Sequence, residues 1–170
     1  MAELTDRTLG EDREILELST GEENRQVALA LAGQARRRIL ILSRDLDHTL
    51  FDNEAFQQAA SDLARRSPQA HVHILVHDAQ RAIKNGHRLV DLAQRLSSRV
   101  EIRRTAEEFV RSNEAFLVVD ESGYLRRPVA DRYEASASFC APKEVRELAK
   151  FFTEVWQQSH AEPQLRRLHL

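Results

Sequence analysis

Polar side chains suited to anion binding follow two predicted strands of this chain. Arg44 and His48 come after the apolar run 38–43, and His77 closes the run 71–77. In an open α/β sheet, ligands bind beyond the carboxyl ends of the parallel strands. The order of residues therefore predicts that these three side chains meet at one edge of a sheet.

A predicted helix start adds two more candidates to that edge. His87 and Arg88 follow Gly86, and the free amides and dipole of a helix N-terminus favour an anion. Together with Arg44, His48 and His77, they predict a pocket for a phosphate or a carboxylate. An ordinary polar edge of solvated loops would produce the same pattern, and both interpretations stay open at this point.

Metal binding is the alternative for the histidines of the second strand. His71, His73 and His77 share one face by the two-residue period, and zinc accepts imidazole. At roughly 3.3 Å per residue the three rings spread over about 20 Å, so one ion could touch two of them at most. We predict neither a metal nor a cofactor. Cys140 is the single cysteine, which excludes an internal disulfide, and it is predicted to be a buried structural thiol.

Arginine greatly outnumbers lysine in this chain, with 22 Arg and three Lys. Paired arginines could bind the phosphates of a nucleic acid, which makes a nucleic-acid-binding regulator one hypothesis. Such a protein would need the pairs and His87-Arg88 on one face. The net charge of −2 and the 6% aromatic content argue against it, so nucleic acid is predicted to be an unlikely partner.

Hydrophobic periodicity predicts the elements that position these residues. Helices are expected at about 21–35, 53–66 and after Asn85-Gly86, with a last helix from Pro142, and strands at 38–43, 71–77 and 100–103. Further strands are expected at 15–18, 115–120, 124–127 and 133–139. The alternation of strands and helices predicts an α/β fold, with a mixed, mainly parallel central sheet flanked by helices on both faces.

Length and composition predict one domain with two short extensions. The 170 residues divide into an N-terminal arm at 1–20, partly disordered or an edge strand, an α/β domain at 21–159 and a tail at 160–170. No apolar run approaches the roughly 20 residues of a membrane-spanning helix. The N-terminus has no signal-peptide pattern. We therefore expect a cytoplasmic protein that does not bind membranes.

The segment from Arg111 to Gly123 resembles the core motif of the phospholipase D-like superfamily, H-x-K-x4-D on a strand that leads into a hairpin. The run Phe116–Asp120 fits that strand, and the last helix, with Phe152 and Trp156, is similar to the final helix of the superfamily. The resemblance spans about residues 36–159. It implies a single half-domain of that fold.

The catalytic part of the motif is degenerate in this chain. Asn113 stands at the histidine position, Ala115 at the lysine position, and only Asp120 matches. In the superfamily, one histidine attacks phosphorus, a second protonates the leaving group and the lysines hold phosphate oxygens. Asn113 and Ala115 can do none of these. Asp120 is then expected to cap the turn at 121–123 rather than to act in catalysis.

The resemblance also implies a homodimer, in which two degenerate motifs would meet. We therefore expect a non-catalytic binding or assembly module with a phosphate-containing ligand, contacted by Arg44, His48, His77, His87, Arg88 and Asn113. The alternative is a phosphodiesterase with a rebuilt site. In it the candidates for nucleophile or acid are His77, His87 and His48, and Arg44 and Arg88 hold the phosphate.

Overall fold

A computed structural model describes residues 2–109 and 113–161, apart from the side chains of residues 2 and 3. Its strands are β1 (Leu16–Leu18), β2 (Arg38–Ser43), β3 (His71–Val76), β4 (Val100–Arg104), β5 (Ala115–Val119), β6 (Gly123–Arg127), β7 (Ala135–Ser138) and β8 (His160–Ala161). Its helices are α1 (Ala2–Thr5), α2 (Gly21–Gly33), α3 (His48–Phe51), α4 (Glu54–Arg66), α5 (Ala79–Lys84), α6 (Arg88–Arg95) and α7 (Pro142–Gln157).

The described strands form one sheet of eight in the order β1-β7-β6-β5-β2-β3-β4-β8. The β2–β3 and β3–β4 pairs are parallel, and β5 pairs antiparallel with β2. The carboxyl ends of β2, β3 and β6 and the amino end of β5 consequently lie at one edge of the sheet, which we call the upper edge. The opposite edge is the lower edge.

Two apolar cores cover the two faces of the sheet. The larger core contains Val27 and Leu31 of α2 and Phe56 of α4, together with Leu89 of α6. The smaller core lies under α7, where Phe152 packs against β2 and β5. Strands β2 and β5 carry apolar side chains on both faces because helices cover both, and this explains their unbroken apolar runs.

The expected fold class is confirmed: a mixed sheet with helices on both faces. The parallel part is smaller than expected, since the strands after β4 and both short edge strands pair antiparallel with their neighbours. The predicted start of α2 is confirmed, because Thr20 and Glu23 form a reciprocal capping box. The short helices α3 and α5 are not predicted, because one or two turns give no measurable apolar period.

The segment before β1 lies against α2. The side-chain amide of Gln34 donates to the carbonyl of Arg7 (2.9 Å), and its oxygen accepts from the amide of Leu9 (2.8 Å). The amide of Gly10 donates to the carbonyl of Phe139 (2.8 Å). These bonds place residues 7–10 beside the lower end of the β6–β7 pair.

Candidate functional site

A cavity of about 450 Å³ opens at the upper edge, beyond the ends of β2 and β6. Its lining is polar and carries both signs of charge: Arg44, Asp45, Asp47, His48, Arg81, Asn85, Arg127, Ala130, Asp131 and Tyr133. The sequence-predicted residues Arg44 and His48 are among them. We call this space the upper cavity.

A buried ion pair forms the floor of the upper cavity. Arg127 is 3% exposed, and its Nη1 donates to Oδ2 of Asp47 at 2.8 Å. The hydroxyl of Tyr133 donates to the same oxygen at 3.2 Å, and the guanidinium of Arg127 lies 5.2 Å from the centre of the Tyr133 ring. A buried guanidinium with a carboxylate and an aromatic neighbour is held in one orientation, so its charge has a fixed position.

The loop between β2 and α3 holds Asp47 in place. Oγ of Ser43 accepts from the amides of Leu46 (3.0 Å) and Asp47 (3.4 Å). Oδ1 of Asp47 accepts from the amide of Thr49 (2.8 Å) and caps α3. Leu46 is buried at φ +62°, a conformation that side chains other than glycine adopt at a cost of about 1 kcal/mol or more. The hydrogen bond from the Leu46 amide to Ser43 therefore helps to hold a strained backbone conformation beside the cavity.

Arg44 stands at the mouth of the upper cavity without a neutralising partner. Its Nη2 donates to Oδ1 of Asn113, a neutral amide, and in the described part of the chain it pairs with no carboxylate. The exposed Arg81, by contrast, pairs with Asp45 at 3.1 Å. Arg44 is therefore the cation of this cavity whose charge is available to a ligand.

Sequence reasoning missed Arg127, Asp47 and Tyr133. Arg127 ends β6 and lies directly opposite Ala115 in the β5–β6 register, so the two side chains share a face. A charged residue in a hairpin strand opposite a small one was the available signal. Asp47 and Tyr133 gave none, because only the fold brings their loops together.

Of the six predicted ligand residues, Arg44 and His48 line the upper cavity, and Asn113 reaches it through its hydrogen bond with Arg44. The other three do not line it. Nδ1 of His77 lies 2.6 Å from Oγ1 of Thr105, beside β4. His87 is buried, its Nδ1 accepts from the amide of Leu89, and burial lowers its pKa below the usual value. The expected gathering of all six residues at one pocket is wrong for these histidines, because their rings are engaged by neighbouring elements.

Arg88 is the third of these residues, and the start of α6 already holds an anion from the chain itself. Oδ1 of Asp52 accepts from the amide of Arg88 at 3.0 Å and lies 3.3 Å from its Nη1. The predicted anion preference of this helix start is thus satisfied internally, by the carboxylate of Asp52.

Asp120 has a structural role, but its expected position over the 121–123 turn is wrong. Its carboxylate accepts from the amides of Arg36 (2.9 Å), Arg37 (2.8 Å) and Arg38 (3.0 Å), which lead into β2. Asp120 itself lies at φ +54°. Because β5 runs from the upper to the lower edge, Asp120 lies at the opposite end of this strand from Asn113.

The histidines of β3 stack rather than converge on an ion. The His73 ring lies 4.2 Å from the Trp156 ring at an interplanar angle of 6°, and Arg103 covers the same indole at 4.3 Å. Burial, with the charges of His71 and Arg103, lowers the pKa of His73 to about 4. Within residues 2–109 and 113–161, no three His, Cys, Asp or Glu side chains are grouped to hold a metal ion.

The arginine pairs divide between the two edges of the sheet. Arg103-Arg104 and Arg126-Arg127 end strands at the upper edge, whereas 36–38 and 65–66 lie at the lower edge. The single arginine face that the regulator hypothesis required, with His87-Arg88 included, does not exist among the described residues.

The family assignment rests on residues 20–168, which match one domain family across most of the chain. The chain belongs to the family described as domain of unknown function DUF7931. No curated protein matches the sequence. Among the described helices of this DUF7931 domain, none has the length and apolar character needed to cross a bilayer.

Solved structures with similar folds include a phospholipase D family member. Nuc from Salmonella typhimurium, a phospholipase D family member, has a TM-score of 0.61 at 14% identity, over 88% of this chain and 97% of its own. NucT from Helicobacter pylori has a TM-score of 0.60 at 10% identity, over 88% of this chain and 98% of its own. The DUF7931 domain thus has the phospholipase D-like fold that the resemblance implied.

TrmBL2, an archaeal chromatin protein with a novel mode of DNA binding, is also similar in fold. Its TM-score is 0.65 at 15% identity, over 95% of this chain. The DUF7931 chain spans 58% of that protein's length. Identities this low show a shared fold and nothing about activity.

Proposed function

We propose that this DUF7931 domain is a non-catalytic phospholipase D-like module that binds a phosphate-containing ligand in the upper cavity. The observation that carries the proposal is Arg44, an exposed guanidinium at the cavity mouth whose hydrogen-bond partner is a neutral amide. Guanidinium groups bind phosphate oxygens through two parallel hydrogen bonds, and an un-neutralised one favours an anion.

The positions that the resemblance assigns to catalysis support a binding role. Asn113 can donate and accept hydrogen bonds at the cavity mouth, but its amide is neither a nucleophile nor an acid near neutral pH. Ala115 is buried and carries no polar group. The motif as it stands here can contact a ligand and cannot form a phosphohistidine.

The remaining ionisable groups also favour binding. Of the described histidines, His48 alone lines the upper cavity, and it is exposed. Asp47 is committed to Arg127 and to the cap of α3. Phosphodiester cleavage by the superfamily route needs one group to attack and another to protonate the leaving group, and this cavity offers one imidazole.

The phosphodiesterase alternative based on His77 and His87 lacks the same support. The His87 ring is 3% exposed, and its lowered pKa leaves it neutral near pH 7. A neutral buried imidazole whose Nδ1 already accepts a hydrogen bond is poorly suited to act as an acid on a ligand. The homodimer implied by the resemblance is part of the proposal as an assembly state, and size-exclusion chromatography with light scattering measures it.

Inorganic phosphate is the probe for the binding claim. At constant ionic strength and pH 7.5, we expect phosphate to raise the melting temperature of the wild type relative to chloride, and titration calorimetry to give one saturable site. Arg44→Gln should remove both signals. The matched control is Arg104→Gln, an exposed arginine at the end of β4 and outside the cavity, which should retain them. An equal effect in both variants, or no effect in the wild type, contradicts binding at the cavity.

The non-catalytic claim has its own assay. Purified protein should hydrolyse bis(p-nitrophenyl) phosphate no faster than the buffer blank. Hydrolysis that disappears in His48→Ala would favour a rebuilt enzyme with its active site in the upper cavity, and hydrolysis that disappears in His77→Ala or His87→Ala would favour a rebuilt enzyme with its active site elsewhere.

A further inference from the structure

The lower edge of the sheet carries a second concentration of positive charge, remote from the upper cavity. It consists of Arg36 and Arg37 before β2, Arg65 and Arg66 at the end of α4, and Arg99 before β4. We call these five residues the arginine edge. The arginine edge does not contact the upper cavity, because the two lie at opposite ends of the parallel strands.

The parallel strands bring two parts of the arginine edge into register. The carbonyl of Arg37 accepts from the amide of His71 (3.1 Å), and the carbonyl of Arg99 accepts from the amide of Val72 (2.8 Å). Neighbouring strands lie about 4.8 Å apart, so the backbones of Arg37 and Arg99 are separated by about 10 Å across one intervening strand.

Arg99 connects the end of α4 to the lower ends of the parallel strands. Its Nη1 donates to the carbonyls of Ala64 (2.6 Å) and Ser67 (3.0 Å), the last turn of the helix and its cap. Arg65 and Arg66 are thereby held beside the strand ends and are both exposed. The guanidinium of Arg99 is half-buried and serves as the support, while four exposed arginines surround it.

These four arginines outnumber the acids beside them. Arg36, Arg37, Arg65 and Arg66 form no ion pair within the described part of the chain. Of the acids nearby, Asp120 accepts from three backbone amides, Glu121 lies 3.8 Å from Nε of Arg38, and Asp62, one turn before Arg66 on α4, accepts from Gln58. The lower edge is thus basic in a chain whose net charge is −2.

We propose that the arginine edge binds the phosphate backbone of a double-stranded nucleic acid. A row of guanidinium groups suits successive phosphates, and binding through phosphates alone reads no sequence. Single strands are disfavoured because none of the arginine-edge positions is flanked by a Phe, Tyr or Trp on which a base could stack. A membrane is disfavoured because the two large apolar side chains that are exposed among the described residues are not next to these arginines: Val129 follows β6 at the upper edge, and Ile15 precedes β1, four strands away from β2.

The test is the salt dependence of binding to a fluorescent 20-base-pair duplex, measured by anisotropy. Four phosphate contacts predict a slope of log K against log salt of about −3.6, which is a loss of about 150-fold between 50 and 200 mM salt. Replacing Arg36, Arg37, Arg65 and Arg66 by alanine should remove this slope. Replacing the same four by lysine should retain most of it, because the charge remains, which separates a loss of contacts from a loss of folding.

A matched control removes exposed arginines from the upper edge. Arg104→Ala combined with Arg132→Ala should leave the slope and the affinity unchanged. Equal losses in this control and in the four-alanine variant would overturn the proposal, as would absence of duplex binding at 50 mM salt. Tighter binding of a single strand of equal length would contradict a duplex ligand, and arginine-dependent binding to vesicles of anionic lipid without duplex binding would point to a membrane.

The outcome is independent of the proposed function. The four-alanine variant should still respond to inorganic phosphate through Arg44, and Arg44→Gln should still bind the duplex. Failure of one site therefore leaves the other measurable.

Discussion

Removing the negative charge of Asp47 beneath the upper cavity should lower the free energy of unfolding more than removing the positive charge of Arg127. Asp47→Asn keeps an excellent helix cap for α3, since Asn and Asp cap equally well, and it deletes only the charge that faces Arg127. The guanidinium is then left 3% exposed without a carboxylate. Breaking a buried ion pair from one side typically costs about 3–5 kcal/mol.

The structure places this case near the lower end of that range. Arg127 retains the ring of Tyr133 at 5.2 Å, and the adjoining cavity admits water. We therefore expect a loss of about 3 kcal/mol in the free energy of unfolding. For a domain of this size, the corresponding fall in melting temperature is roughly 6–12 °C.

The reverse substitution leaves a better-solvated partner. In Arg127→Met, Asp47 keeps the amide of Thr49 at 2.8 Å and the hydroxyl of Tyr133 at 3.2 Å, and its side chain is 14% exposed. The expected loss is about 1–2 kcal/mol. The double variant should be more stable than Asp47→Asn alone, because it removes the isolated cation.

Urea denaturation followed by circular dichroism measures all three variants. A second measurement, with phosphate added, relates the result to the cavity. Phosphate should stabilise Asp47→Asn more than the wild type, because the released guanidinium of Arg127 forms part of the cavity floor. If Arg127→Met proves the more destabilising of the two single variants, the buried charge does not dominate and the reasoning is refuted.

Three further predictions concern stability away from the cavity. Asp120→Ala should lower the free energy of unfolding in urea by about 2–3 kcal/mol, since three backbone amides lose their acceptor. Asp120→Asn should have an intermediate effect, because Asn tolerates the φ of +54° at this position. Gly123→Ala should lower the free energy of unfolding by about 1–3 kcal/mol, because two leucine side chains would lie 2.6 and 2.7 Å from the added carbon. The control is Gly33→Ala, which should not destabilise the protein because its added carbon meets open space. The pKa of His73 is about 4 in the folded protein, whereas its ordinary value is 6.5. Between these two pH values, the unfolded chain therefore binds a proton at His73 that the folded protein does not. Stability should therefore fall as pH drops from 6.5 towards 4, by at most about 2 kcal/mol for a partly screened ring, and His73→Phe, which keeps an aromatic against Trp156, should abolish that part of the loss.

Local patterns in the sequence predicted most of the secondary structure. The Thr20–Glu23 capping box, the apolar run 38–43 and the stripe of α4 each specify an element through contacts within one segment. The alternation of strands and helices then indicated the α/β class. Elements of one or two turns, such as α3 and α5, carry too little periodic signal and depend on caps and tertiary packing.

The composition of the candidate site depended on distances that no local pattern contains. Arg44 and His48 were predictable because they directly follow a strand, and the upper edge collects such residues. Arg127 and Tyr133 reach Asp47 from 80 and 86 residues away, and only the antiparallel return of β6 beside β5 brings them there.

The sequence by itself determined most of the helices and strands and the α/β class, since these follow from the pattern of residues in short windows. The tertiary structure alone decided which charges remain available. Asp52 satisfies the start of α6 and Asp120 satisfies the amides before β2, whereas Arg44 faces only a neutral amide. Charge neutralisation is a matter of a few ångströms between segments far apart in the chain, and the fold sets those separations.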